Sequence, residues 1–451
     1  MSSAVRISTD IMLVVICFLL LTSVRRKENI VPAIFLIGLT QIGEYFPVLA
    51  TIRIELLAGL CGLIMIVLAG ENLSQKLSDK KSKINRYFYL FILVVFLSVP
   101  FSVSISESLY WTEYYWKRCF ILFFFVVAFL DTQEKLEKFV IFYLLGIMWL
   151  GFGGVISYFE RTNIVIVGGV ERVRGLTGLL SNPNGLANTI VAAIPLMYYL
   201  LIGWRGKRLK QIFLLITGGF SFAAVFMTGS RGGFIGLVAS VFFIALFSKR
   251  KLRTTVLSCC VVIASLALAG PRLIQRYSTI LALGSSDISA HSRLDGLIHG
   301  FSMLMKRPLF GVGIGCYPVA RGRWFGWHLW AHNHYGQLIG ELGMIGTIIW
   351  SLLIYHTVIE CRRTRELITT KDIFERFKFI YYLLIGIEIS IYTRLVLGMT
   401  THSLHIFFWY LSAALIVASK LIVERDVRKK LQIAVNENHT GSSRGWLGLH
   451  D

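Results

Sequence analysis

Residues 327–359 read WHLWAHNHYGQLIGELGMIGTIIWSLLIYHTVI, and the run Tyr335–Ile359 within them is apolar enough, and long enough, to cross roughly 30 Å of hydrocarbon. Comparable runs recur at Phe139–Phe159, Ile212–Thr228 and Leu404–Val423. Of the 451 residues, 55% are hydrophobic and 16% charged, where a soluble domain carries about a quarter charged residues. An ordinary soluble enzyme is thereby excluded. The expected fold is an all-α polytopic membrane protein, one membrane domain over 1–451 with about 12–13 transmembrane helices. The first run, Ile11–Val24, lacks a small-residue cleavage site and reads as a retained helix.

The formal charge of +21 belongs with membrane topology rather than nucleic acid, because excess Lys and Arg marks cytoplasmic loops. The clusters at 76–86, 205–210, 249–253, 362–365 and 425–430 fall on one side if spans lie near 87–103, 118–130, 139–159, 184–203, 212–228, 233–247, 256–270, 334–359, 379–399 and 401–423. Earlier spans near 11–24, 30–50 and 54–70 then place the N-terminus outside, and residues 424–451 form a basic cytoplasmic tail. The outward parts are 104–117, 160–183, the turn 229–232, a long periplasmic loop at 271–333, and the turn near 400. Five of the seven cysteines (Cys17, Cys61, Cys119, Cys259, Cys260) lie in apolar runs, and no CxxC metal site or disulfide framework is present.

Outward loops normally avoid Arg, so arginines there point to a negatively charged ligand. Arg172 and Arg174 precede SNPNGLAN, where Asn182 is placed to cap a helix with Pro183 in its first turn. TGSRGG (228–233) confines Arg231 to the membrane edge. Ile288, Leu294, Leu297, Ile298, Phe301 and Met305 recur at helical spacing, predicting an amphipathic helix on the outer surface that carries Arg293. PLFGVGIGCY lacks the strand and helix of a dinucleotide fold and reads as a flexible turn.

His332, Asn333 and His334 stand at the mouth of the apolar run, with Glu341 two turns in. A histidine titrates near neutrality and suits general-base work on a sugar hydroxyl. Alone, His332 reads as an ordinary helix-entry residue; sharing a face with Arg172, Arg231 and Arg293 marks it as a catalytic candidate. His328, His332 and His334 lack neighbouring outward carboxylates, so no metal site and no cofactor is expected.

The order R-x-R-G, N-P-N-G-L-A, G-S-R-G-G, S-R-L-D, P-L-F-G-V-G-I-G, A-H-N-x-Y, E-L-G-x-x-G, spread over a core at about 170–350, resembles the O-antigen ligase and polymerase family. That resemblance implies an inverting, metal-independent glycosyltransferase of the GT-C type in the bacterial inner membrane, its active site facing the periplasm. It implies a donor glycan on undecaprenyl diphosphate and an acceptor glycan or lipid A core, with membrane lipid and other polysaccharide-assembly proteins as partners. His332 and Arg231 then match the family's catalytic histidine and arginine. Arg172 or Arg174, with Arg172 favoured, joins Arg293 and Asn333 in binding substrate. His334 and WFGWHLW have no counterpart in that pattern, which leaves the acceptor pocket unassigned. Arg394, His402 and His405 read mainly as helix packing near the outer rim. A multi-pass anion transporter is the competing reading and requires polar groups through the bilayer; Glu44, Glu55, Glu341, Glu388 and Arg394 are the candidates.

Overall fold

The computed structural model describes residues 3–67, 82–167, 170–177, 181–248 and 288–444, with isolated positions between 251 and 263. The span expected near 256–270, residues 271–287 of the long loop, and most of the basic clusters at 76–86 and 249–253 lie outside the described residues. The chain runs through α1 (Ser3–Ser23), α2 (Ile30–Thr40), α3 (Pro47–Thr51), α4 (Ile54–Val67), α5 (Lys83–Ser98), α6 (Ile105–Tyr115), α7 (Ile121–Phe129) and α8 (Gln133–Phe159). After a hairpin of β1 (Ile164–Val167) and β2 (Val170–Val173) come α9 (Pro183–Gly203), α10 (Arg208–Met227) and α11 (Arg231–Phe247). The remainder is α12 (Ile288–Lys306), α13 (Tyr317–Phe325), α14 (His334–Thr370), α15 (Phe374–Gly398) and α16 (Phe408–Arg444).

Among the described residues six helices, α1, α8, α9, α10, α14 and α15, are long and apolar enough to cross a bilayer, while α4 and α11 are apolar but shorter. The protein is an all-α polytopic membrane protein. Three expected spans are corrected. The run at 30–50 breaks at Gln41, whose left-handed backbone (φ 46°) ends α2. The one at 118–130 is the end of a longer helical passage that begins at Ile105 and continues through a π-helical turn, Trp116–Phe120. The last expected span starts at Phe408 rather than 401, leaving 401–407 as a loop. The hairpin, antiparallel with Val165 opposite Arg172, occupies what the sequence presents as irregular loop.

In the core, α9 packs against α15 and α11, α8 against α10, and α14 against α5 and α12. Gly343 breaks α14 (φ 61°, ψ −159°), freeing two carbonyls from the helical ladder. Val312 N–H donates to Gly340 O and Gly313 N–H to Glu341 O, both at 2.9 Å, while Met344 N–H returns a bond to Pro308 O at 2.8 Å. Gly311, Gly313 and Gly315 hold φ of 65°, 96° and 72°, a backbone that side chains resist. PLFGVGIG is therefore a clasp on the broken helix, not the flexible turn its glycines suggest. The expected amphipathic helix is present as α12, with Ile298, Phe301 and Met305 exposed along one side.

Candidate active site

The starts of α9 and α14 border one recess, that of α11 packs behind it against Asn184 and Thr400, and each is capped by a side-chain oxygen. Asn182 accepts from Gly185 N–H (2.7 Å), Ser230 from Gly233 N–H (3.1 Å), and Asn333 from Gly336 N–H (3.0 Å). The expected cap at Asn182 and the Pro183 start are found. Asn333, expected to meet substrate, has its side-chain oxygen committed to this cap.

His332 sits on the loop entering α14 in a left-handed conformation (φ 48°), uncommon for a residue with a side chain. The loop is held on three sides. Ala331 is buried against Gly296 of α12, Arg321 of α13 donates to Trp330 O at 3.0 Å, and Asn333 caps the helix that follows. The His332 side chain opens into a cavity of about 400 Å³, whose lining also includes Asn182, Asn184, Trp330, Thr400 and His402. Desolvation by the walls, then the charges of Arg293 and Arg321, hold its pKa below the usual histidine value. At neutral pH the imidazole is unprotonated, the form a general base requires.

The arginines divide into two groups. Arg172 is buried with its fork occupied: Nε donates to Thr228 O (2.9 Å) and Nη2 to Asn184 Oδ1 (2.8 Å). Ser230 Oγ donates to the same Asn184 oxygen at 2.8 Å. One guanidinium thus ties RVRG, NPN and TGSRGG together. Arg231, half-buried in the first turn of α11, Arg293, half-buried on α12, and the exposed Arg174 make up the second group. Of the expected site residues, the structure brings Arg293's charge to His332 and gathers Arg172 with the turn that carries Arg231. Arg172→Ala strands Thr228 O and leaves Asn184 Oδ1 with Ser230 as its donor, and each lost charged hydrogen bond costs about 1.5–3 kcal/mol, so the melting temperature in detergent should fall clearly. Arg172→Lys, lacking the fork, should recover only part.

Sequence reasoning undervalued the loop between α15 and α16. His402 lies edge-to-face on His332 (centroids 5.3 Å, 63°) and stacks on Trp330 (5.1 Å, 7°), with His405 behind it at 5.4 Å. Burial, then His405 and His332, keeps the His402 pKa well below the usual value, and burial with Arg118 holds His405 down to about 4. The loop is pinned by α14: His334 Nδ1 pairs with Ser403 Oγ at 3.0 Å, and Gln337 Oε1 accepts from Leu404 N–H at 3.2 Å. His334, unassigned from sequence, is thus a strut for His402. Arg394 packs over the Phe408 ring at 4.4 Å, in keeping with a packing role. Arg321 carried no sequence signal beyond its charge. No group of three or more metal-ligating side chains is found among the described residues.

Residues 216–351 match a family model described as O-antigen ligase, covering TGSRGG, SRLD, PLFGVGIG, the A-H-N motif and the broken start of α14. The match supports the O-antigen ligase/polymerase family to which the motif order points, and with it a glycosyltransferase-like enzyme acting on a lipid-linked glycan and an acceptor. A search of curated proteins finds no match.

Proposed function

We propose, with the O-antigen ligase/polymerase family as premise, that the chain transfers or polymerises undecaprenyl-diphosphate-linked oligosaccharide at the periplasmic face of the bacterial inner membrane. The observation that carries this reading is the convergence of His332, Asn182, Asn184 and the 400–405 loop on one cavity, with Arg293 acting on the same histidine. The acceptor hydroxyl gives its proton to His332, and its oxygen forms the new bond to the donor's anomeric carbon. The bond from that carbon to the diphosphate oxygen breaks on the opposite face, so a single displacement inverts configuration. The leaving diphosphate keeps the electron pair. Arg231, Arg293 and Arg174 match its geometry with guanidinium forks and stabilise its growing charge, while Arg172 holds the segments that carry Arg174 and Arg231. Two of the five groups that the anion-transporter alternative draws on are engaged in ion pairs, Glu388 with Arg362 (2.6 Å) and Arg365, and Glu55 with Arg118 (2.7 Å), so these carboxylates brace helices.

The deciding experiment is mass spectrometry of surface and carrier-bound glycans in a deletion strain. Core capped by a single repeat means a polymerase, full-length chains stranded on the carrier mean a ligase, and unchanged glycans sink the proposal. Purified enzyme should keep its activity in EDTA; a loss restored by a divalent cation would argue for a metal site.

Arg293 supplies a pH prediction. Its charge disfavours protonated His332, so Arg293→Gln should raise the His332 pKa, and the neutral base should then be lost at a higher pH. The acid limb of the kcat/KM profile is expected to move upward relative to wild type. An unmoved limb would show that His332 is not the titrating base.

A further inference from the structure

We infer that the cavity beside His332 is the acceptor subsite and that the sugar it receives is uncharged. This rests on the proposed transfer reaction and assigns one substrate to one place. Among the described residues lining the cavity there is no Asp, Glu, Lys or Arg. The lining histidines His402 and His405 are neutral, because burial holds both below the usual histidine range. A diphosphate or carboxylate entering this space would lose water and meet no charged side chain in the described walls, a costly exchange. A sugar with free hydroxyls meets what is there. The side-chain oxygens of Asn182 and Asn184 are taken by Gly185, Arg172 and Ser230, leaving their amide N–H groups to donate. Thr400 and Thr401 spend their hydroxyl protons on Leu397 O and His402 O, leaving their oxygens to accept. The stacked Trp330 and His402 rings supply the flat apolar surface that suits the C–H face of a pyranose. The aromatic run before His332, which has no place in the family pattern, thereby gains a role. Trp330 is two residues from the base, so a ring packed against it brings a hydroxyl to His332.

The test uses glycan from a deletion strain, part left on its diphosphate carrier as donor and part released by mild acid, which removes the diphosphate. In Trp330→Ala the half-saturating concentration of the released glycan, as acceptor or competitor, should rise about tenfold, the worth of one aromatic contact, with the donor's nearly unchanged. Trp330→Phe should restore it. If Trp330→Ala abolishes turnover, saturation-transfer NMR of the released glycan gives the answer: binding kept by His332→Ala and lost in His332→Ala/Trp330→Ala. Released glycan oxidised to carboxylates at its primary hydroxyls should bind more weakly than the neutral form. Equal effects on donor and released glycan, or stronger binding of the oxidised form, would overturn the assignment. Absence of any transfer by the wild-type protein, with either released glycan or lipid A core as acceptor, would instead defeat the reaction itself.

Discussion

His332→Ala is expected to lower glycan transfer by about 10²–10⁴-fold, the usual contribution of a positioned general base, while the protein stays at normal abundance in the membrane. The side chain opens into the cavity and meets the edge of the His402 ring, on a loop that His334 and Gln337 already pin, so its loss should leave the fold intact. Residual transfer should lose the acid limb of its pH profile, because the group that titrates is gone. Arg231→Ala should be comparably damaging if the guanidinium meets the leaving diphosphate, and Arg231→Lys should recover little, since an ammonium offers no fork. Near-normal activity in both alanine variants would dismiss the catalytic assignment.

The second large effect is expected at a residue with no side chain to offer a substrate. A methyl group on Gly296 would overlap the carbonyl of Ala331, the residue before His332, and Gly336 faces Gly296 just as closely. Helix α12 and the entry to α14 thus touch backbone to backbone. Gly296→Ala must push α12 off the loop or shift the histidine, and overpacking of this kind costs about 1–3 kcal/mol. Transfer should collapse, with a lower melting temperature, whereas Gly218→Ala, in open space on α10, should change neither. If Gly296→Ala retains full activity, the close approach does not position the base.

The long helices were legible because apolar runs of bilayer length have few alternatives. Residues 139–159, 184–203 and 379–399 fall within or almost within α8, α9 and α15, and the Asn182–Pro183 start was written in local cap chemistry. The histidine and the arginines stood out because charged or titratable groups beside apolar runs are costly without a purpose. What could not be read is held by distant partners. Leu404, Ile406, Phe407 and Phe408 look like the start of a span, yet residues 401–407 form a loop because Ser403 and Leu404 are bonded to His334 and Gln337, 69 and 67 positions away. No local periodicity records such bonds. The same holds for PLFGVGIG, whose glycines suggest freedom until the broken ladder of α14 gives its N–H groups acceptors. Arg172 and Arg174 sit two apart and look alike in sequence; only the fold reveals that one is enclosed by Asn184 and Thr228.

Helix α14 also serves as a ruler. His334, beside the cavity, lies before the break at Gly343, and from Gly343 to Arg362, paired with Glu388, α14 covers about 28 Å at helical rise, close to the roughly 30 Å of a bilayer's hydrocarbon core. Glu360 joins the same level through Lys420 at 2.7 Å, fastening α14 to α16. On the proposed reading, α14 carries the cavity at its start and an ionic fastening about five turns beyond its break, so the depth of the cavity follows from the distance to its anchor. On that reading, a bilayer markedly thinner or thicker than this length would tilt α14 and move the cavity relative to the lipid-linked donor.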